Sequence, residues 1–398
     1  MDKIEELLTR GVANIIPNKK ELEKTLKSGK KLNVYLGIDP TSTKIHLGHA
    51  VILRKLQAFA SLNHNVTFLI GDYTALIGDT SDKDKERPVL TSEQIHENFK
   101  AYKKQAEKIL DFSIIKIRYN SEWLSKLSFA ETIKLTQQFS FGDFASRELI
   151  RKRLDAGTHI GFHEGLYPAI QGYDSYFLDT DIQIGGTDQT FNMQAGRTLQ
   201  KNWRNKESFI IATEFLTGTD GRKMSKSWGN AIWLDDDPND MYAKTMAIKD
   251  DLIVNYYTLA TNVSFDRINE IKHKLQLGEN PMAIKKGLAQ QILTELHNTE
   301  DADKAARNFE SVVQEKETPK DIPMYEYLGD ERQNIVDLLM QINLTESRSQ
   351  AKHLVDQHGV TVDDKIISDP NLEINIKNDM IIKVGKRNFV KIQLNARR

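Results

Sequence analysis

Apolar positions along the chain follow two rhythms, and their alternation sets out its elements. Leu32 to Asp39 is a short apolar run that stops at Asp39-Pro40-Thr41, which predicts a buried strand entering a turn. Gly48 to Leu62 has helical spacing, with Ile52, Leu53, Leu56 and Phe59 on one face. Asn65 to Ile70 predicts a second strand, Thr91 to Leu110 a helix opened by Thr91-Ser92-Glu93, and Ser113 to Tyr119 a third strand. The rhythm resumes with a helix from Phe162 to Phe177, a strand from Asp181 to Ile184, a helix from Gln189 to Leu199 and a strand from Phe209 to Thr213. Strands alternating with helices predict a parallel α/β sheet with right-handed crossovers.

The remaining stretches divide the chain. Residues from about 121 to 155 are helical and interrupt the two halves of the sheet, so the first domain is expected over 1–232 with that stretch as an insert. An α-helical domain is expected over 233–318. Glu317-Thr318-Pro319-Lys320-Asp321-Ile322-Pro323 has the composition of a linker, placed at 319–332, and a small α+β unit should fill 333–398.

Composition narrows the class. With 39% apolar and 28% charged residues in 398, the chain has the make-up of a soluble globular protein. No apolar run approaches the ~20 residues of a membrane span. The opening Met1-Asp2-Lys3-Ile4-Glu5-Glu6 does not resemble a secretory signal. With no cysteine there are no disulfides and no thiolate ligands, and the cytoplasm is the expected compartment. The net charge of -1 argues against a surface coated in nucleic acid but permits local basic patches. One lies at the C-terminal end, where Lys383, Lys386, Arg387, Lys391, Arg397 and Arg398 face only Asp379.

Two motifs carry chemistry. Ile45-His46-Leu47-Gly48-His49 falls between the first predicted strand and its helix, where a doubly wound sheet brings nucleotide phosphates to a helix N-terminus. His46 and His49 are three apart and can face one spot, as hydrogen-bond donors to a phosphate that gains charge during reaction. Gly48 allows close approach of a ligand. The second motif, Asp220-Gly221-Arg222-Lys223-Met224-Ser225-Lys226-Ser227, sets three cations behind a turn and could hold a pyrophosphate. A histidine pair at a helix start or a solvated basic loop is, taken singly, commonplace.

Together the two motifs resemble the paired signatures of class I aminoacyl-tRNA synthetases, which implies a Rossmann-like doubly wound parallel sheet. The resemblance to bacterial tyrosyl-tRNA synthetases covers nearly the whole chain. It rests on Tyr35-Leu36-Gly37-Ile38-Asp39-Pro40-Thr41, Thr74 with Ile77-Gly78-Asp79, Tyr167-Pro168-Ala169-Ile170-Gln171-Gly172-Tyr173-Asp174, and Gly185-Gly186-Thr187-Asp188-Gln189. It implies ATP and L-tyrosine as substrates, Mg²⁺ arriving with ATP, tRNA(Tyr) as partner, and a homodimer joined through the insert. Tyr35 and Asp174 would hold the substrate's phenol, with Asp79, Tyr167 and Gln171 on its ammonium group and Thr74 in the same pocket. Gln189 would sit near the carboxylate or ribose. Gly37, Asp39, Gly48, Gly186 and Asp188 would line the pocket towards ATP. Thr41, His46 and His49 would meet the reacting phosphate, and Lys223 and Lys226 the leaving pyrophosphate.

The residues support this independently. Tyr167, Gln171 and Asp174 stand at i, i+4 and i+7, so one helix face carries three polar groups that are costly to bury without a polar ligand. A phenol needs an acceptor and a donor, which a carboxylate and a tyrosine hydroxyl supply, whereas an indole offers only a donor. That weighs against the related tryptophanyl-tRNA synthetases, and intact His46, His49, Lys223 and Lys226 weigh against a non-catalytic RNA-binding relative. Lys83 and Arg87 match family positions for ATP or the tRNA acceptor end, although the segment after Asp79 departs from the family's usual Pro-Ser-Gly. Residues 333–394 resemble an S4-type RNA-binding domain, in which Arg348, Lys352, Lys386 and Arg387 would contact RNA phosphates.

Overall fold

A computed structural model describes residues 2–79, 91–225, 228–311, 322–329, 331–345, 347–385 and 388–394. The chain forms two compact units, Met1–Ala302 and Asp303–Arg398.

The first unit is built on six strands: β1 (Val12–Ile16), β2 (Asn33–Ile38), β3 (Asn65–Ile70), β4 (Ile115–Tyr119), β5 (Ile182–Gly186) and β6 (Phe209–Thr213). Their order is β1-β6-β5-β2-β3-β4. All neighbours from β6 to β4 run parallel, as the helical crossovers between them require. All five residues of β6 are buried, so it is a continuous apolar run rather than an alternating one. The expectation of a wholly parallel sheet needs one correction. β1 precedes the predicted first strand and pairs antiparallel with β6. Five residues between Gly11 and Pro17, with a register shift at Val12/Asn14, give too short an alternation to read from sequence.

From β2 the chain winds outward through β3 and β4, then returns to build β5 and β6 on the other side. The order therefore reverses between β2 and β5, and the crevice at their carboxyl ends is where open α/β sheets bind ligands. The helices follow the predicted spacing. Leu47–Ser61 buries Leu53, Leu56 and Phe59. Ser92–Ala106 starts with a capping box, in which Gln94 N–H donates to the Thr91 hydroxyl and Thr91 N–H to the Gln94 side chain. Phe162–Phe177 packs on Thr190–Arg204, which in turn lies against β5 and β6, and Ser121–Leu124, Phe129–Thr136, Phe141–Ala145 and Glu148–Asp155 form the insert.

The helices after Asp237, expected as a separate domain, belong to the first unit up to Ala302. Buried polar links tie them there. The Arg10 guanidinium donates to the carbonyls of Thr258, Thr261 and Val263, and Arg54 meets Glu295 at 2.6 Å.

The second unit contains β7 (Met324–Tyr327), β8 (Arg332–Asn334), β9 (Val360–Val362), β10 (Lys365–Ile367), β11 (Glu373–Asn375), β12 (Ile381–Val384) and β13 (Asn388–Leu394). They form a sheet ordered β10-β9-β12-β13-β7 and a separate β11-β8 pair. Helices Ile335–Gln341 and Arg348–Asp356 share its core of Val336, Leu339, Ala351, Val355, Ile382 and Ile392. β7 lies within the stretch expected as linker and pairs parallel with β13. The predicted strand-turn-strand over 360–367 is β9 and β10 joined by Asp363-Asp364, both at positive φ, as a two-residue hairpin turn demands.

Candidate active site

The loops leaving the carboxyl ends of β2, β3, β5 and β6 enclose a cavity of about 550 Å³ with the helix Phe162–Phe177. Every described residue expected to bind tyrosine or ATP lines it: Tyr35, Gly37, Asp39, Thr41, His46, Gly48, His49, Thr74, Asp79, Tyr167, Gln171, Asp174, Gly186, Asp188, Gln189 and Lys223. Lys226, Lys83 and Arg87 lie outside the described residues.

At the closed end, the buried Asp174 carboxylate accepts the Trp123 indole N–H at 2.8 Å on Oδ1 and the Asn120 amide at 3.1 Å on Oδ2. Burial pushes this carboxyl up to about 8, against the opposing pull of Asn120 and Trp123. Tyr35 stands beside it, but its hydroxyl donates to Gln183 Oε1 at 3.2 Å, and the Gln183 amide donates onward to the Met193 carbonyl at 2.9 Å. Burial, and then the Asp174 charge, hold the Tyr35 phenol well above its usual range.

A second group of bonds runs back along the cavity. Asn120 also donates to Thr74 Oγ1 at 3.0 Å, and the Thr74 hydroxyl donates to Asp39 Oδ1 at 2.7 Å. The other Asp39 oxygen accepts the Tyr167 hydroxyl at 2.9 Å. A continuous polar chain thus joins Asp174 to the turn after β2. Gly71, at the end of β3, makes room for it, since a Cβ there would stand 2.0 Å from Asp39 Oδ1. Asp79 and Gln189 are directly paired, the amide donating to Asp79 Oδ2 at 2.7 Å.

At the open end His46 caps the helix Leu47–Ser61, and its ring stacks on that of His49 with centroids 3.8 Å apart. The His46 backbone N–H donates to His49 Nδ1 at 3.3 Å, which places the proton of a neutral His49 ring on Nε2. Burial, and next the neighbouring His49, hold the His46 imidazole down to about 3, so it is neutral at working pH. Opposite stands Lys223, its ammonium 5.6 Å from the centre of the Phe215 ring. The histidine pair and the Lys223 cation thus line one part of the cavity, and the buried Tyr35 and Asp174 another.

Sequence reasoning missed Asn120, Trp123 and Gln183. Asn120 follows the carboxyl end of β4, and the tendency of parallel sheets to bind ligands at the carboxyl ends of their strands could have flagged it. Trp123 begins the insert, whose sequence shows only helical spacing, and Gln183 is a buried polar residue inside a strand, a signal in itself. In the second unit Arg348 and Lys352 are exposed on one helix four positions apart, with Arg348 paired to Asp337. Lys386 and Arg387 lie outside the described residues. Among the described residues no cluster of three or more His, Asp or Glu side chains could hold a metal ion, and no helix is long and apolar enough to cross a membrane.

A parallel sheet with this crevice, a histidine pair on the first crossover helix and a lysine loop after the last strand defines a class I aminoacyl-tRNA synthetase. Comparison with known proteins agrees. Residues 27–314 match the family model described as tRNA synthetases class I (W and Y), and residues 314–392 match the tyrosine–tRNA ligase SYY-like C-terminal domain. The chain is 44% identical to the tyrosine–tRNA ligase of Carboxydothermus hydrogenoformans, over 97% of both chains. It is 40% identical to that of Thermotoga maritima, over 97% of this chain and 96% of the relative. Its fold is similar to a C-terminally truncated mitochondrial tyrosyl-tRNA synthetase of Aspergillus nidulans, with TM-score 0.65, 22% identity, and coverage of 78% of this chain and 93% of that one. The chain belongs to the tyrosine–tRNA ligase family.

Proposed function

We propose that the chain joins tyrosine to tRNA in two steps within this one cavity. The tyrosine carboxylate attacks the α-phosphate of ATP, releasing pyrophosphate and leaving tyrosyl-adenylate. The terminal ribose hydroxyl of tRNA(Tyr) then takes the tyrosyl group. The observation that carries this reading is the polarity of the cavity, with Tyr35 and Asp174 at the closed end and His46, His49 and Lys223 at the open end.

Neither step needs a protein nucleophile, so catalysis rests on positioning and charge stabilisation. Asp174 accepts the substrate's phenolic proton, and Tyr35 completes the pairing. Asp79, Tyr167 and Gln171 receive the ammonium group, with Gln189 turning from Asp79 towards the carboxylate or ribose. Asp39, Gly37, Gly48, Gly186 and Asp188 face the nucleotide. Thr41, His46 and His49 donate to the α-phosphate as its charge grows, while Lys223 and Lys226 hold the pyrophosphate. Mg²⁺ comes with ATP as part of that substrate.

The second unit takes the tRNA through Arg348, Lys352, Lys386 and Arg387, with Lys83 and Arg87 near the acceptor end. The insert is the contact surface for a second copy of the chain, which would cover the exposed Phe129, Ile133 and Phe141. The compartment is the cytoplasm. Tyrosine-dependent exchange of labelled pyrophosphate into ATP tests the first step. Exchange driven by tryptophan, or by no amino acid, would overturn the reading.

A further inference from the structure

The loop that carries Lys223 is folded around a residue outside the signature string. From Thr217 to Lys223 the backbone forms a tight hairpin: Thr217 bridges to Lys223, Gly218 N–H donates to the Arg222 carbonyl at 2.7 Å, and Gly221 turns the chain at φ +86°. The side chain inside this hairpin is Asn230, only 3% exposed. Its amide nitrogen donates to Asp220 Oδ1 at 2.8 Å and to the Lys223 carbonyl at 3.2 Å. Its amide oxygen accepts Ser225 N–H at 2.9 Å, and its own carbonyl accepts Thr219 N–H at 3.1 Å. The fit is close enough that a Cβ on Gly218 would stand 2.4 Å from the carboxamide. Donor and acceptor faces of one amide are thus both used, and the backbone on either side of Met224 is fixed to the same point. The hairpin is tied to the helix Ile253–Ala260 as well, through the Tyr256 hydroxyl on the Thr217 carbonyl at 2.8 Å.

We propose that Asn230 is a positioning residue for adenylate formation: it sets the path of Lys223–Ser225 and so aims the Lys223 ammonium into the cavity. A loop that grips the leaving group must be in place before the transition state is reached, and misplacement by about 1 Å costs rate rather than substrate binding. The proposal rests on the reading that Lys223 acts on the pyrophosphate. A carboxamide is needed here because a carboxylate would set two acceptors against Asp220 and the Lys223 carbonyl.

The test compares the parent with Asn230→Asp, which keeps the shape and removes the donor, and with Lys223→Ala. Single-turnover rates of adenylate formation at saturating tyrosine and ATP are measured beside the tyrosine Kd. Asn230→Asp should slow the step about tenfold or more, the scale of losing one or two net hydrogen bonds, with tyrosine Kd unchanged. If Asn230→Asp stays within twofold of the parent while Lys223→Ala is slow, Asn230 does not position the loop. Parallel losses of rate and tyrosine affinity in Asn230→Asp would also overturn the proposal, as a general defect of folding. A fast Lys223→Ala protein would instead remove the reading of the loop itself.

Discussion

Trp123 donates its indole N–H to Asp174 Oδ1 at 2.8 Å, from the first turn of the insert to the last turn of the helix Phe162–Phe177. With Asn120 on the other oxygen, the carboxylate is oriented before any ligand arrives, so no reorganisation is left for the binding step. Trp123→Phe keeps the stack on Phe177, at 4.4 Å between centroids, and removes only the donor. At neutral pH the carboxyl holds its proton, and a hydrogen bond to a neutral group contributes ~0.5–1.5 kcal/mol net, so tyrosine Kd should rise about two- to tenfold. Adenylate formation at saturating tyrosine should change little. Equilibrium dialysis and single-turnover rates separate the two, and an unchanged Kd would remove Trp123 from the site.

Asp174 also predicts a pH dependence. Its carboxyl is pushed up to about 8 in the folded chain, against ~3.9 unfolded, so the folded state holds the extra proton between those values. Its contribution to stability is present at low pH and is lost as pH rises towards about 8. His46 acts with the opposite sign, since its imidazole is held down to about 3 and its contribution is lost as pH falls below ~6.5. Between pH 6.5 and 8.5 only the first effect changes. Asp174→Asn should therefore make the slope of Tm against pH more positive over that window, and an identical slope in both proteins would contradict the assignment.

At the open end, His49→Ala and Lys223→Ala should each slow adenylate formation by ~10² or more, the scale of deleting one transition-state donor. Neither change touches the closed end of the cavity, so tyrosine Kd should stay within about threefold of the parent. A large loss of tyrosine affinity with normal turnover would reverse these roles.

The pair Arg153–Glu164 is buried and bidentate, at 2.6 and 3.0 Å, and joins the last helix of the insert to the first turn of the site helix. Glu164 also accepts Gly161 N–H at 2.9 Å. Glu164→Ala leaves the Arg153 cation buried without its partner and should destabilise the chain by ~3–5 kcal/mol. Urea denaturation followed by tryptophan fluorescence gives the number, and a loss below about 1 kcal/mol would show that the site relaxes around the vacancy.

In the second unit, Arg348→Ala combined with Lys352→Ala should weaken tRNA binding and reduce the salt dependence by about two phosphate contacts, a change of ~1.4–1.8 in the slope of log K against log salt. Pyrophosphate exchange should be unaffected. Full tRNA affinity in the double variant would mean that another face of the unit meets the RNA.

Much of this molecule is local, and local features were legible. Strand runs such as Asn65–Ile70 and the helical spacing of Phe162–Phe177 state what each segment can bury, because side-chain period follows backbone geometry. Turn and cap residues such as Thr91 and Asp363-Asp364 supply the backbone conformations their positions require. The motif residues at the strand ends were legible for the same reason, since a parallel sheet delivers the carboxyl ends of its strands to one crevice. The tertiary structure decided which side chains meet. Tyr35 and Gln183 are 148 positions apart and bond only because β2 and β5 are neighbours. Asp174 is fixed by Asn120 and Trp123, Lys223 by Asn230, and β1 finds its antiparallel place on the free edge of β6. No period or turn signal encodes such pairs. They arise when packing removes water from polar groups, and each group must then find whatever partner the topology has brought within reach.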